Sequence, residues 1–146
     1  GAHGVHLRGD SMPPAVVRAM TPRGFLIGRS VHSLDDAGRV ASSVDYLIAG
    51  TVWATASKPG LETARLLGSE GLSRLVHQLK VPVLAIGGVS IERIGAVARS
   101  GAAGVAGIGL FMGPQQQGHD SACGAVPLHE TARAARRQFD TQGAAS

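Results

Sequence analysis

Val81-Pro82-Val83-Leu84-Ala85-Ile86-Gly87-Gly88-Val89-Ser90 is the stretch that decides the fold. It contains a four-residue apolar run, then two glycines, then a serine placed to cap a helix that the pattern continues to Ser100. Short apolar runs bounded by glycine are typical of buried strands, and a serine before a helical pattern is typical of a helix start. The stretch therefore predicts one strand, one tight turn and one helix.

The same order of strand and helix recurs along the chain. The predicted strands are Val5–Leu7, Phe25–Gly28, Tyr46–Gly50, Val83–Ile86 and Gly104–Ile108. The predicted helices are Ala15–Met20, Ser33–Ser42, Ser69–Leu79, Ser90–Ser100 and Leu128–Phe139. This alternation predicts an α/β fold with a parallel sheet, and the uniformly apolar strands predict burial on both faces of that sheet.

Length and composition narrow the class of protein. The chain has 146 residues and begins at Gly1, whereas about 250 residues are typical of a complete (β/α)₈ TIM barrel. We therefore expect that an N-terminal part of the barrel is missing. The hydrophobic share of 44% with 21 glycines suits a globular α/β protein rather than a disordered one.

Charge and cysteine content argue against several partners. The net charge is only +4, and the basic residues are dispersed apart from Arg133, Arg136 and Arg137 near the C-terminus. Five aromatic residues offer little stacking surface, so nucleic acid binding is not expected. The longest uncharged stretch, Ser100 to His119, is too rich in Gly, Pro and Gln to span a bilayer, so no membrane association is expected. A single cysteine, Cys123, cannot form an internal disulfide, which favours the cytoplasm.

Candidate functional residues follow the predicted strands, because chemistry in a barrel lies at the carboxyl ends of its strands. Gly87-Gly88 and Gly107-Ile108-Gly109 follow the last two strands, where backbone N–H groups commonly cradle a phosphate. The alternative is that these glycines only make tight turns. The loop after the third strand carries Thr55-Ala56-Ser57-Lys58, whose two hydroxyls and one ammonium can neutralise an anionic ligand.

Several segments, taken in order and spacing, resemble the thiamine phosphate synthase and thiazole tautomerase superfamily. They are Gly4–Leu7, Ile27–Ser33, Asp45–Gly60, Gly71-Leu72, Val81–Ser90 and Gly101–Val105. The resemblance identifies the five predicted units as strands four to eight of the barrel. It implies that residues 1–112 are the C-terminal part of a barrel, 113–127 a loop or insertion, 128–140 the last outer helix and 141–146 a tail.

The resemblance implies an enzyme, a transferase that couples a hydroxymethylpyrimidine diphosphate to a thiazole phosphate, using Mg²⁺ and releasing pyrophosphate. Thr55, Ala56 and Ser57 would hold the thiazole phosphate, together with backbone donors from Gly88, Ile108 and Gly109. Lys58 would contact the pyrophosphate, and Ser30 would face the pyrimidine. The fragment alone is expected to be inactive, and the resemblance leaves a homo-oligomer open.

Three departures from the superfamily pattern keep alternatives open. The diphosphate-binding basic segment and one metal-binding Asp belong to strands that this chain does not carry. Ser11 stands where the second metal-binding Asp is expected, with Asp10 one residue early as a candidate ligand. Thr51 stands where synthases usually have Pro and tautomerases a catalytic His. The alternatives are a tautomerase-like paralogue and a non-catalytic protein that binds a phosphate ligand.

Overall fold

A computed structural model describes residues 1–55, 66–112 and 128–143. The five strands and the four helices between them alternate as expected. The elements are β1 (Gly4–Leu7), α1 (Pro14–Met20), β2 (Leu26–Val31), α2 (Leu34–Val40), β3 (Tyr46–Ala49), α3 (Gly68–Gln78), β4 (Val83–Ile86), α4 (Ile91–Arg99), β5 (Gly104–Ala106), α5 (Gly109–Met112) and α6 (Leu128–Gly143).

The described strands form one parallel sheet in the order β1-β2-β3-β4-β5. Each strand is hydrogen-bonded to the next one along the chain, with His6 opposite Gly28, Gly28 opposite Tyr46 and Leu84 opposite Gly104. Parallel strands joined in sequence order require helical crossovers, which α1 to α4 supply. The predicted α/β fold with a five-stranded parallel sheet is confirmed.

Only one face of this sheet is fully buried, so the prediction of burial on both faces is wrong for the described residues. Side chains alternate between faces along a strand, and the side chains with almost no exposure face the helices. On the strands these include Ile27, Val31, Leu47, Ala49, Val83 and Ala85, and on the helices Leu72, Leu75, Ile94 and Val97. The other face carries His6, Ser30, Tyr46, Ile48 and Ile86, which remain partly or largely accessible.

Two helix starts test the predicted caps. Ser33 caps α2 as expected, because its hydroxyl accepts a hydrogen bond from the Asp36 N–H at 3.1 Å. Ser90 precedes α4 in extended backbone, but its hydroxyl instead donates to the Glu92 carboxylate at 2.6 Å. That bond lowers the pKa of Glu92. The predicted side-chain cap at Ser90 is therefore wrong, although the helix begins where expected.

An ion pair joins the first unit to the second and third. Arg18 on α1 donates to the Asp45 carboxylate at 2.6 Å and to the Phe25 carbonyl at 2.7 Å. The same carboxylate accepts from the Ile27 N–H at 2.7 Å. These contacts hold the pKa of Asp45 below its usual value, the Arg18 hydrogen bond being the largest cause. Asp45 thereby fixes α1 against the starts of β2 and β3.

The last element that the structure describes is the C-terminal helix. Helix α6 runs to Gly143, beyond both the predicted helix end and the predicted start of the tail, and buries Ala135. Of the helices in the described ranges, none has the length and apolar character needed to span a membrane.

Candidate functional site

The carboxyl ends of β1 to β4 open onto one cleft of about 480 Å³ on the accessible face of the sheet. Its wall is formed by residues of β2, β3 and β4 and of the loops that follow β1, β2 and β3. The lining residues are Arg8, Gly9, Asp10, Ser30, His32, Ile48, Gly50, Thr51 and Ile86. Three residues that sequence reasoning singled out, Asp10, Ser30 and Thr51, are thus brought together in this cleft.

The loop after β1 presents a carboxylate that is already paired. Asp10 lies 3.4 Å from the Arg8 Nε, and both side chains are exposed. Ser11, at the position where a carboxylate was expected, accepts the Arg8 N–H at 2.9 Å and so shapes the turn. Arg29, buried beneath the loop, donates to the Gly9 carbonyl at 3.0 Å. The loop is therefore held in place from below while Asp10 faces the cleft.

The residues that line the cleft offer one carboxylate, that of Asp10, to a magnesium ion. Within the ranges that the structure describes, no three His, Cys, Asp or Glu side chains gather as a metal-binding group. Magnesium is often held by one or two carboxylates together with substrate phosphates. Asp10 fits the role of one such ligand, but it would have to leave Arg8, so the described residues fit the ion only in part.

Ser30 belongs to a hydrogen-bonded cluster that the sequence did not indicate. His6 Nε2 lies 2.9 Å from the Ser30 hydroxyl, and His6 Nδ1 lies 3.2 Å from the Tyr46 hydroxyl. The His6 and Tyr46 rings are stacked with centroids 5.6 Å apart. Gly28 lies between these two residues in the sheet, and a Cβ there would collide with the Tyr46 ring. Desolvation lowers the pKa of His6, so the neutral imidazole is favoured.

His32 and Thr51 complete the far side of the cleft. His32 Nδ1 donates to the Gly50 carbonyl, and this hydrogen bond fixes the orientation of the ring. Thr51 is buried, and its carbonyl accepts the Leu67 N–H at 3.0 Å. A buried threonine hydroxyl offers no general base near neutral pH.

The glycine turn after β4 packs directly on the loop after β3. Gly87 and Gly88 have φ of 93° and 65°, which glycine adopts far more readily than other residues. A Cβ at Gly88 would lie 2.5 Å from the Trp53 carbonyl oxygen. Two backbone hydrogen bonds also join the loop to the end of β4 and its turn. The Val52 N–H donates to the Ile86 carbonyl and the Trp53 N–H donates to the Gly87 carbonyl, each at 3.0 Å.

The remaining predicted ligand-binding residues fall in three places. Thr55 is half-buried just beyond Trp53. Ile108 and Gly109 follow β5 and are exposed, with Gly109 opening the four-residue helix α5. Ala56, Ser57 and Lys58 lie outside the described residues.

Comparison with known proteins gives this arrangement its family. A family model described as thiamine monophosphate synthase matches residues 1–111. Thiamine-phosphate synthase from Pyrococcus horikoshii is 37% identical over 115 residues, which are 78% of this chain and 54% of the relative. Its namesake from Pyrococcus furiosus is 39% identical over 115 residues, with the same shares of the two chains.

A solved structure agrees in fold as well as in sequence. Thiamine phosphate pyrophosphorylase from Pyrococcus furiosus superposes with a TM-score of 0.76 at 31% identity, covering 97% of this chain and 61% of that one. The chain spans about half the length of the curated relatives it matches. The cleft-lining residues all fall within the range that the family model matches. The chain belongs to the thiamine monophosphate synthase family.

Proposed function

We propose that the protein to which this chain belongs synthesises thiamine phosphate. It would couple a hydroxymethylpyrimidine diphosphate to a thiazole phosphate and release pyrophosphate, as an alkyl-transferring enzyme of the cytoplasm. The observation that carries this proposal is the family match across residues 1–111, the same residues that build the cleft. Because the chain spans about half of its relatives, the activity is assigned to the full-length protein and not to this chain alone.

The proposed place of the chain in the barrel is strands four to eight. Five of its large exposed hydrophobic residues lie on the first strand, on or just before helix α1, and at the start of β2: Val5, Met12, Val16, Met20 and Leu26. Such a concentration indicates a surface that another element covers. The accessible face of the sheet indicates the same, because the interior of a complete barrel is filled from all of its strands. Residues 1–112 would form this barrel part, 113–127 an insertion and 128–140 the closing outer helix.

The proposed reaction is a substitution at the pyrimidine methylene carbon. The bond between the pyrimidine methylene carbon and the diphosphate oxygen breaks, and the electron pair leaves with pyrophosphate. The methylene carbon then accepts the lone pair of the thiazole nitrogen, which forms the new C–N bond. Lys58 would stabilise the charge that grows on the leaving pyrophosphate, and Ser30 would orient the pyrimidine.

The thiazole phosphate would be held between the two loops that the structure brings into contact. Thr55, Ala56 and Ser57 would supply hydroxyl and backbone donors from one side. Gly88 would supply a backbone donor from the other, with Ile108 and Gly109 beyond it. The close approach of Gly88 to the Trp53 carbonyl supports this arrangement, because it brings the ends of the two loops together.

Magnesium would screen the diphosphate charge when bound. Asp10 is the proposed ligand from this chain, and its pairing with Arg8 predicts weak binding. We expect Asp10→Ala to raise the Mg²⁺ concentration for half-maximal coupling several-fold in the full-length protein. An unchanged magnesium titration would remove Asp10 from the site.

The test of the function is a coupling assay on the full-length protein and its Lys58→Ala variant. Loss of one preorganised donor to a developing negative charge commonly lowers turnover by about 10² to 10³. Lys80 is the matched control, because it is exposed and lies just before β4, at the opposite end of the strand from the cleft. Lys80→Ala should keep full activity, and both variants should keep the parent melting temperature.

The two alternatives make different predictions in the same assay. A tautomerase-like paralogue would bind the thiazole phosphate without consuming the pyrimidine diphosphate. A non-catalytic binding protein would bind a phosphate ligand and convert nothing. Absence of coupled product in the presence of Mg²⁺ and both substrates would therefore overturn the synthase proposal.

A further inference from the structure

We propose that Arg93 is a positioning residue that fastens the loop after β3 to the glycine turn after β4. This role rests on the proposed function, since these are the loops that would hold the thiazole phosphate. The Arg93 Nη1 donates to the Gly88 carbonyl at 2.7 Å. The Arg93 Cζ lies 5.3 Å from the centre of the Trp53 ring. One guanidinium thus contacts both loops.

The helix itself gives no reason for an arginine at this position. Arg93 is the third residue of α4, which begins at Ile91. A helix N-terminus carries a partial positive charge, so a cation in the first turn is disfavoured. The neighbouring Glu92 is the residue type that this position favours. The charge of Arg93 is therefore unfavourable at this position of α4. The contacts that Arg93 makes outside the helix explain why an arginine is found there.

Arginine suits both contacts at once. Its planar guanidinium can stack on an aromatic face while its edge donates hydrogen bonds. A lysine ammonium can make either contact, but it has no plane with which to make both. The Trp53 ring is partly buried, and the same residue's N–H is bonded to the Gly87 carbonyl. The Trp53 backbone is thus already fixed by a hydrogen bond, and Arg93 holds the Trp53 side chain.

The geometry at Gly88 makes small displacements matter. Gly88 has a positive φ, and an added Cβ would lie 2.5 and 2.6 Å from the Trp53 and Ala54 carbonyl oxygens, so the two loops pack together without room for a side chain at this position. Thr55 follows Ala54 directly, so its position depends on the same packing. Releasing Arg93 would loosen Trp53 and alter the spacing between Thr55 and Gly88, the two ends of the proposed phosphate site.

The first test measures binding and kinetics on the full-length protein. Arg93→Met keeps a long side chain and removes the charge and the donors. We expect it to weaken binding of thiazole phosphate about tenfold by titration calorimetry, and to raise the KM for that substrate to a similar degree. The KM for the pyrimidine diphosphate should stay within twofold. Arg93→Lys should recover part of the loss, and Arg74→Met, an exposed arginine on α3, is the matched control.

The second test reads the contact directly. Trp53 is the only tryptophan of the 146 residues, and its emission can be taken as the difference from a Trp53→Phe variant. Arg93→Met should change this emission before any ligand is added. Trp53→Ala should weaken thiazole phosphate binding as Arg93→Met does, and the double variant should be no worse than either single one, because both remove the same contact.

The outcomes separate this inference from the proposed function. Unchanged phosphate affinity and unchanged Trp53 emission in Arg93→Met would overturn the role of Arg93 and leave the synthase proposal intact. Equal losses for both substrates with a lowered melting temperature would also overturn it, because they indicate a general structural role. A protein that never couples its substrates, yet loses phosphate affinity in Arg93→Met, would overturn the synthase proposal and support this one.

Discussion

His6 and Ser30 are 24 positions apart in sequence, yet the His6 Nε2 and the Ser30 hydroxyl lie 2.9 Å apart. Desolvation lowers the pKa of His6 from its usual value of 6.5. Between the folded and the unfolded pKa, the unfolded chain binds more protons, so stability rises with pH in that window. Stability should therefore be lost as pH falls from about 6.5 through the folded pKa of His6, and then level off.

His6→Gln should remove this part of the pH dependence, because glutamine keeps hydrogen-bonding capacity without titrating. Urea unfolding midpoints measured between pH 7.5 and 5 for the parent and the variant would check it. His77→Gln is the matched control, since His77 is an exposed histidine on α3 whose Nδ1 lies 2.8 Å from the Ser73 carbonyl one turn earlier. A parent and a His6→Gln curve of equal slope would contradict the assignment.

The same cluster shows what sequence reasoning could and could not reach at the level of residues. The resemblance predicts that Ser30 faces the pyrimidine, and the structure places Ser30 in the lining of the cleft. Its partners His6 and Tyr46 are ordinary strand residues in sequence, and only the sheet register brings them together. Alternation could have placed both on the same face as Ser30 once that register was known. Without it, spacing along the chain carries no signal for such a contact.

Element α1 is attached to the sheet through Asp45, whose carboxylate accepts from both Arg18 and the Ile27 N–H. We expect Asp45→Asn to lower the free energy of unfolding by about 1 kcal/mol, a charge-assisted contact reduced by solvent screening. Because the folded pKa of Asp45 is lowered from its usual value of 3.8, the stability that Asp45 contributes is fully present above the usual pKa and is lost as pH falls from there through the folded pKa.

Asp140→Asn is the matched control for Asp45→Asn. Its carboxylate pairs with Arg136 one turn away on α6, with both side chains largely exposed, and such pairs commonly contribute about 0.3 to 0.5 kcal/mol. Denaturant unfolding at pH 7 and at pH 3 would measure both effects. An Asp45→Asn variant with no greater loss than Asp140→Asn at pH 7 would show that the contact does not hold α1 in place.

The boundaries of the elements show where apolar patterning fails as a predictor. Strand β2 was predicted to end at Gly28 because Arg29 and Ser30 interrupt the apolar run, yet it continues to Val31. Arg29 is buried with its guanidinium on the Gly9 carbonyl, so a polar side chain occupies a core position. Strand β5 ends at Ala106, two residues earlier than predicted, where the chain turns toward α5. The alternation of strands and helices from β1 to β5 was predicted correctly, whereas the four-residue helix α5 was not predicted.

At the scale of the whole molecule, one arrangement would account for both the accessible face of the sheet and the exposed apolar side of α1. Val16 and Met20 are four residues apart on α1, so they are neighbours along one side of it, and both are exposed. Met12, which lies just before the helix, is exposed as well. Strand β1 has no neighbour on its outer side in the described sheet, which leaves a row of backbone groups open to pairing. Both features are accounted for if further βα units pack beside β1 in the full-length protein.

This predicts a clear difference between residues 1–146 alone and the full-length protein. Alone, the chain should bind a hydrophobic dye such as ANS and self-associate in sedimentation, because its apolar surface and strand edge are uncovered. The full-length protein should bind little dye. Met12→Glu, Val16→Lys and Met20→Glu together should reduce dye binding by the isolated chain and should destabilise the full-length protein, since the same side would then bury charge.

The opposite responses of the two proteins are what make the experiment decisive. If the α1 side is merely an exposed surface, the three substitutions should leave the melting temperature of the full-length protein unchanged, as most surface substitutions do within about 0.5 kcal/mol. If a preceding βα unit packs against this side of α1, three charges at the contact should lower the melting temperature of the full-length protein markedly. The same substitutions should make the isolated chain more soluble. A dye-free, monomeric isolated chain would contradict the proposal that this chain forms strands four to eight of a larger barrel.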